Sequence, residues 1–211
     1  MQVRDDLTQF LNTLPKDITL VAATKYLDAN EMRKLYSFKV NNFGENRVDA
    51  FLEKYEALND LDIKWHFIGH LQTNKAKKVI NNINYLHSLD SLKLADIIQK
   101  ERTTPLDTFI EVSINEEENK NGVKVADIDN FVKEILSKDK IHLVGLMMMS
   151  IKYSDEKSLH EQFSKLRILR DRLEKEFNIK IPYLSMGMSD DYKAAIKEKS
   201  THIRLGRILF K

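Results

Sequence analysis

The segment Ile18-Thr19-Leu20-Val21-Ala22-Ala23-Thr24-Lys25 is a short apolar, β-branched run that stops on a lysine. The residues after it form a charged stretch of helical period, not a second strand. The same unit recurs down the chain, with further runs at Val40–Phe43, Trp65–Ile68, Tyr85–His87, Phe109–Ile114, Ile141–Met148, Ile181–Leu184 and His202–Leu205. The clearest intervening helix is Asp155–Phe177, where Leu159, Phe163, Leu166, Leu173 and Phe177 share one face. Asp28 caps a predicted helix over Ala29–Phe38, Asn46 one over Arg47–Leu58, and Ser189 one over Asp190–Lys199. Asp90 or Ser91 opens Leu92–Arg102, and an amino-terminal helix, Asp6–Leu14, precedes the first strand.

Strands alternating with helices imply parallel strands joined by crossovers, and about eight such units make a (β/α)₈ TIM barrel. An open doubly wound sheet fits less well. Its glycine-rich turn is missing after the first strand, where Ala22-Ala23-Thr24-Lys25-Tyr26 contains no glycine. A barrel consumes all 211 residues, and no repeat, linker or low-complexity segment divides them, so residues 1–211 are expected to form a single α/β domain.

Composition narrows the function. The balance of 34 Lys+Arg against 32 Asp+Glu gives a net charge of +2, far from that of a dedicated nucleic-acid binder. The absence of cysteine excludes disulfides, thiolate zinc, iron–sulfur clusters and cysteine nucleophiles, and fits a reducing compartment. The charged start, Met1 to Asp6, is not followed by an apolar signal segment. The longest apolar stretch, Leu143–Met149, is far short of the roughly 20 residues that span a bilayer. A cytoplasmic protein without nucleic-acid or membrane partners is expected.

In a parallel barrel the chemistry sits where strands end and helices begin. Lys25 ends the first run on the same strand face as Val21 and Ala23, so it projects into the barrel mouth if those two face the bore. A lysine at a strand end is ordinarily solvated. If desolvated there, it would offer a usable amine for an imine. The seventh run leads into Ser185-Met186-Gly187-Met188-Ser189 and the eighth into Gly206-Arg207. Barrels often bind phosphate in the loops after strands seven and eight, where glycine lets backbone N–H groups come close. Asp190 and Asp191 would oppose an anion unless turned outward. Lysine and phosphate loops together suggest an aldehyde-bearing phosphate, with pyridoxal 5′-phosphate (PLP) the obvious candidate.

Other features read as structural. His66 and His70 do not share a helical face, and the remaining histidines are unremarkable singly, so no metal site is expected. Lys75, Lys77 and Lys78 read as a solvated helix face, Glu116-Glu117-Glu118 as a solvated loop, and Met147-Met148-Met149 as core. Pro15, Pro105 and Pro182 precede or open strands, whereas Gly44, Gly69, Gly187 and Gly206 fall at strand exits.

Taken in order, Val21–Lys25, Phe43–Arg47, Trp65–Lys75, His87–Asp90, Asn119–Gly122, Leu143–Met147, Leu184–Asp191 and Ile203–Gly206 resemble the pyridoxal phosphate homeostasis protein family. That family is similar to the amino-terminal barrel of alanine racemase standing alone. The resemblance implies that Lys25 carries PLP as an internal aldimine and that Asn46 lines the cofactor. It implies that Ser185 and the backbone of Gly206 and Arg207 hold the phosphate, with Arg204 facing the pyridine nitrogen. It also implies a non-catalytic role in vitamin B6 and amino-acid balance, PLP-dependent apo-enzymes as partners and a monomeric state. Arg207 stands where threonine is common in the family, and Tyr26 and Leu27 where polar residues are usual. The rival from another class is a PLP-dependent amino-acid racemase, which needs an acid/base group opposite Lys25. In alanine racemases that group comes from a second domain, for which this chain is expected to have no room.

Overall fold

The computed structural model describes residues 2–115 and 121–211, so Glu116-Glu117-Glu118 and Asn119-Lys120 lie outside the described residues. The apolar runs become the strands β1 (Thr19–Ala23), β2 (Asn42–Glu45), β3 (Lys64–Phe67), β4 (Tyr85–Leu89) and β5 (Leu106–Ser113). After a two-residue β6 (Val123–Lys124) come β7 (Ile141–Met147), β8 (Tyr183–Ser185) and β9 (His202–Leu205). β1 pairs in parallel with both β2 and β9, and β4 with β5, so all strands but β6 close into an eight-stranded barrel.

The crossovers carry α1 (Leu7–Asn12), α2 (Ala29–Ser37), α3 (Val48–Ala57), α4 (Thr73–Ala76), α5 (Leu92–Glu101), α6 (Ile128–Leu136), α7 (Glu156–Phe177) and α8 (Tyr192–Lys197). Two predicted caps are in place: Asp28 accepts the Glu31 N–H and Ser91 the Leu94 N–H; Asp155, read as the first helical residue, caps α7 by accepting the Ser158 N–H. Two others are not. α3 starts one residue late, at Val48; Arg47 takes the cap position, is extended and makes no side-chain cap, so Asn46 lies outside the helix. α8 starts at Asp191, because Met188-Ser189-Asp190 runs along the rim as a turn before the chain enters the helix.

Two apolar layers result. Between sheet and helices lie Met32, Leu35, Phe43, Phe51, Phe67 and Leu86, all fully buried. Inside the bore, Phe109, Val144 and Met147 pack with Tyr85 and Tyr183, so the barrel is filled, not hollow. Met148 is buried as expected, but Met149 is exposed. Gly145 is a packing requirement: a Cβ there would lie 2.2 Å from the Tyr183 carbonyl oxygen of the neighbouring strand. Gly187 has φ +95, the left-handed region in which side chains are strained, and this turns the chain off β8 into the rim loop.

Candidate functional site

All barrel strands end on one rim, and the predicted residues gather there. Lys25 lies two residues beyond β1. Val21 faces the bore, with its Cγ1 2.9 Å from where Gly44 would carry a Cβ, and Ala23 abuts Gly206 on β1's other neighbour. Lys25 itself lies in the turn that follows β1, beyond the reach of strand alternation. Lys25 is exposed, the ordinary state of a strand-end lysine, with Nζ 4.8 Å from the Tyr26 ring centroid. The turn that ends β1 carries it past the packed bore into solvent.

Behind Lys25 the rim is rigid. Thr24 Oγ1 donates to Glu45 Oε1 at 2.5 Å, and the Lys54 ammonium reaches both that oxygen (2.6 Å) and the Thr24 carbonyl (2.7 Å). This buried pair ties β1, β2 and α3 together at the lysine's base. The next residue, Asn46, keeps its Oδ1 buried with no hydrogen-bond partner among the described residues. A buried polar oxygen left open costs free energy unless something else meets it. Such an orphan at the rim suits a residue that faces a ligand.

Across the β1–β9 seam, a Cβ on Gly206 would meet nothing closer than Ala23 at 3.5 Å. Packing therefore does not demand glycine here, and its absent side chain leaves space over the backbone N–H groups. Ser189, absent from the expected site, belongs to this cradle. Its Oγ accepts from the N–H of Gly206 (3.3 Å) and of Ile208 (3.5 Å), leaving its hydroxyl proton for an outside acceptor. The two aspartates do not point into the cradle. Asp190 pairs with the Arg207 guanidinium in solvent, and buried Asp191 accepts the Ser150 hydroxyl and the Met188 N–H.

Arg204 and Ser185 lie deeper. Arg204 is buried on β9, and its Nη1 donates to Ser185 Oγ (2.7 Å) and O (2.8 Å) while Nη2 donates to the Met148 carbonyl (2.9 Å). Burial lowers its pKa to about 10, opposed by Asp191 and Glu111, so it stays cationic near neutrality. Ser185 Oγ also lies 2.8 Å from His87 Nδ1, His87 Nε2 2.9 Å from His66 Nδ1, and His66 Nε2 2.9 Å from Asn42 Oδ1. Burial holds both histidines well below the usual imidazole range. Their only sequence signal was a polar residue inside an apolar strand. His70 instead turns to Asp90, 2.9 Å away. Glu111, on β5 opposite β1, is pushed up to about 7 by burial and by Asp90, with Arg204 and His70 opposing.

An amine, an open amide oxygen, a glycine-lined backbone cradle with a serine hydroxyl, and a buried cation thus share one rim. Those groups fit an aldehyde, a ring hydroxyl, a phosphate and a ring nitrogen.

The alanine racemase N-terminal domain model matches residues 3–211. The pyridoxal phosphate homeostasis protein of Aquifex aeolicus is 41% identical over 194 residues, 90% of this chain and 85% of that protein. The one from Schizosaccharomyces pombe is 34% identical over 99% of this chain and 89% of its own length. PipY of Synechococcus elongatus, solved with PLP bound, superposes with a TM-score of 0.89 at 28% identity, covering 98% of this chain and 99% of that one. Its PLP-free form gives 0.94 at 30% identity over the full length of both. Alanine racemase of Clostridium difficile shares the fold at 16% identity, with a TM-score of 0.78, but this chain covers only 57% of it. With the racemase-type barrel, the rim lysine and these relatives in agreement, the chain belongs to the pyridoxal phosphate homeostasis protein family.

Proposed function

We propose that this protein binds PLP at the barrel rim, with Lys25 as the covalent anchor, and serves intracellular PLP homeostasis without catalytic turnover. The observation that carries the proposal is the convergence of Lys25, the orphan Asn46 oxygen and the open Gly206 backbone on one rim of a chain from this family. Lys25 would hold the aldehyde end of PLP through its amine. The Arg207 N–H and the Ser189 hydroxyl hold the phosphate beside Gly206, whose own N–H is donated to Ser189 Oγ, while Ser185 Oγ accepts from Arg204 and braces it. Asn46 Oδ1 accepts from the ligand, and Arg204 faces the ring nitrogen.

Bound PLP supplies an electron sink. Arg204 cannot give its proton to the ring nitrogen, because a guanidinium is too weak an acid, and this keeps the sink poor. We further propose a single-domain, cytoplasmic monomer that passes PLP to apo-enzymes. No helix among the described residues is long and apolar enough to cross a membrane.

The test is the visible absorption of purified protein with added PLP. A yellow band that Lys25→Ala abolishes is expected, and a protein that stays colourless sinks the reading. In the same preparation the optical rotation of a panel of L-amino acids should hold steady. A Lys25-dependent loss of rotation would replace the carrier with the racemase.

A further inference from the structure

We propose that His87 and His66 are positioning residues: with Asn42 they form a one-directional hydrogen-bond relay across the barrel bore that ends on Ser185 and fixes Arg204. The direction is set by the groups at its two ends, a donor and an acceptor. Arg204 can only donate, so Ser185 Oγ accepts from Nη1 at 2.7 Å. Ser185 Oγ has a second lone pair, so the Asn42 end decides the rest: Asn42 Oδ1 only accepts, which makes each neutral ring donate from Nε2 and leaves His87 Nδ1 to accept the Ser185 proton at 2.8 Å. A neutral His87 with Nδ1 accepting carries its proton on Nε2, which donates to His66 Nδ1 at 2.9 Å. His66 must in turn be protonated on Nε2, which donates to Asn42 Oδ1 at 2.9 Å. The Asn42 amide is itself oriented, because its Nδ2 donates to Asn41 Oδ1 at 3.0 Å.

Each link has one donor and one acceptor, so the relay has no slack. A second proton on His66 would set its Nδ1–H against the Nε2–H of His87 at 2.9 Å. The surroundings enforce neutrality. His66 stacks on Tyr85 at 4.5 Å and His87 on Phe109 at 4.3 Å, and the other polar groups facing them are His202, Tyr183 and the Arg204 cation. With no carboxylate in the relay, nothing rewards an imidazolium. The members come from β2, β3, β4, β8 and β9, so the relay also pins the barrel's inner register.

The relay also bears on the cofactor, in a step that rests on the PLP reading above. The Ser185 proton is committed to His87, so Ser185 acts through Arg204, and the hydroxyl left for phosphate is that of Ser189.

The relay is tested without ligand by long-range ¹H–¹⁵N NMR of the histidine rings in the full chain. Both His66 and His87 should be neutral Nε2–H tautomers throughout pH 5.5–8. An Nδ1–H tautomer, or titration of either ring in that range, overturns the relay. With PLP added, His87→Phe should move the absorption maximum and weaken PLP about tenfold. If His87→Phe does not fold, Ser185→Ala, which removes one oxygen, carries the same test. A folded variant with wild-type spectrum and affinity overturns the positioning role. If the wild type itself takes up no PLP, the cofactor reading fails while the NMR result still decides the relay.

Discussion

Glu111 is a carboxylate inside an apolar strand, only 4% exposed, with its pKa raised from 4.5 to about 7. The sign of its effect on stability comes from proton counting. Below pH 4.5 both folded and unfolded chains hold the proton and the residue costs nothing. Between 4.5 and about 7 the unfolded chain ionises first, so stability falls as pH rises and then levels off. A shift of this size corresponds to roughly 3 kcal/mol at most. Glu111→Gln should therefore raise the denaturant midpoint at pH 8 and leave it nearly unchanged at pH 4.5; equal effects at both pH values would disprove the assignment. Period two places Glu111 on the face of Phe109, so its burial was legible in the sequence. Its neighbours were not: Asp90 and Arg204 come from other strands and meet it only across the closed barrel.

At the scale of elements, capping separates two superficially similar residues. Asp155 Oδ1 accepts the Ser158 N–H at 2.7 Å at the head of α7, whereas Asn46, read from sequence as the cap of α3, caps nothing. Losing a real cap costs about 1 kcal/mol. Asp155→Ala should lower stability by that amount in urea titration. Asn46→Ala should not lower stability, since its buried Oδ1 makes no hydrogen bond that could be lost, and should instead weaken PLP binding. A cap-sized stability loss from Asn46→Ala would restore the sequence reading. The difference could not be read locally, because Asn suits both a helix start and a rim position. The choice depends on where β2 delivers the chain: α3 begins only after Asn46 has passed under Gly69, whose missing Cβ would lie 2.5 Å from the Asn46 carbonyl oxygen.

For the whole molecule, the bore sets the response to acid. His66 and His87 are held well below 6.5 by burial, and His202 at about 4 by burial and Arg204. As pH falls below 6.5 the unfolded chain takes up protons that the folded barrel refuses. Stability present above 6.5 is therefore lost toward the folded values. Each such proton changes stability by about 1.4 kcal/mol per pH unit. Three histidines working in one direction outweigh the opposite slope of Glu111. The thermal midpoint should drop between pH 7 and pH 5; a flat or rising midpoint there would contradict neutral histidines in the bore.

The amino-acid sequence by itself determined the alternation of strand and helix, the barrel, the caps Asp28 and Ser91, and the placing of Lys25 and Gly206 just past strand ends and of Arg204 within the last strand. These arise from period, β-branching and turn chemistry, which act between residues close in the chain. Only the tertiary structure decided that Lys25 stands in solvent, that Asn46 faces the rim, that Ser189 meets the backbone at Gly206 and Ile208 and that Arg204, Ser185, His87, His66 and Asn42 form one line. Those relations depend on closing the sheet between β1 and β9, which brings together groups far apart in the chain and buries them beyond the reach of water.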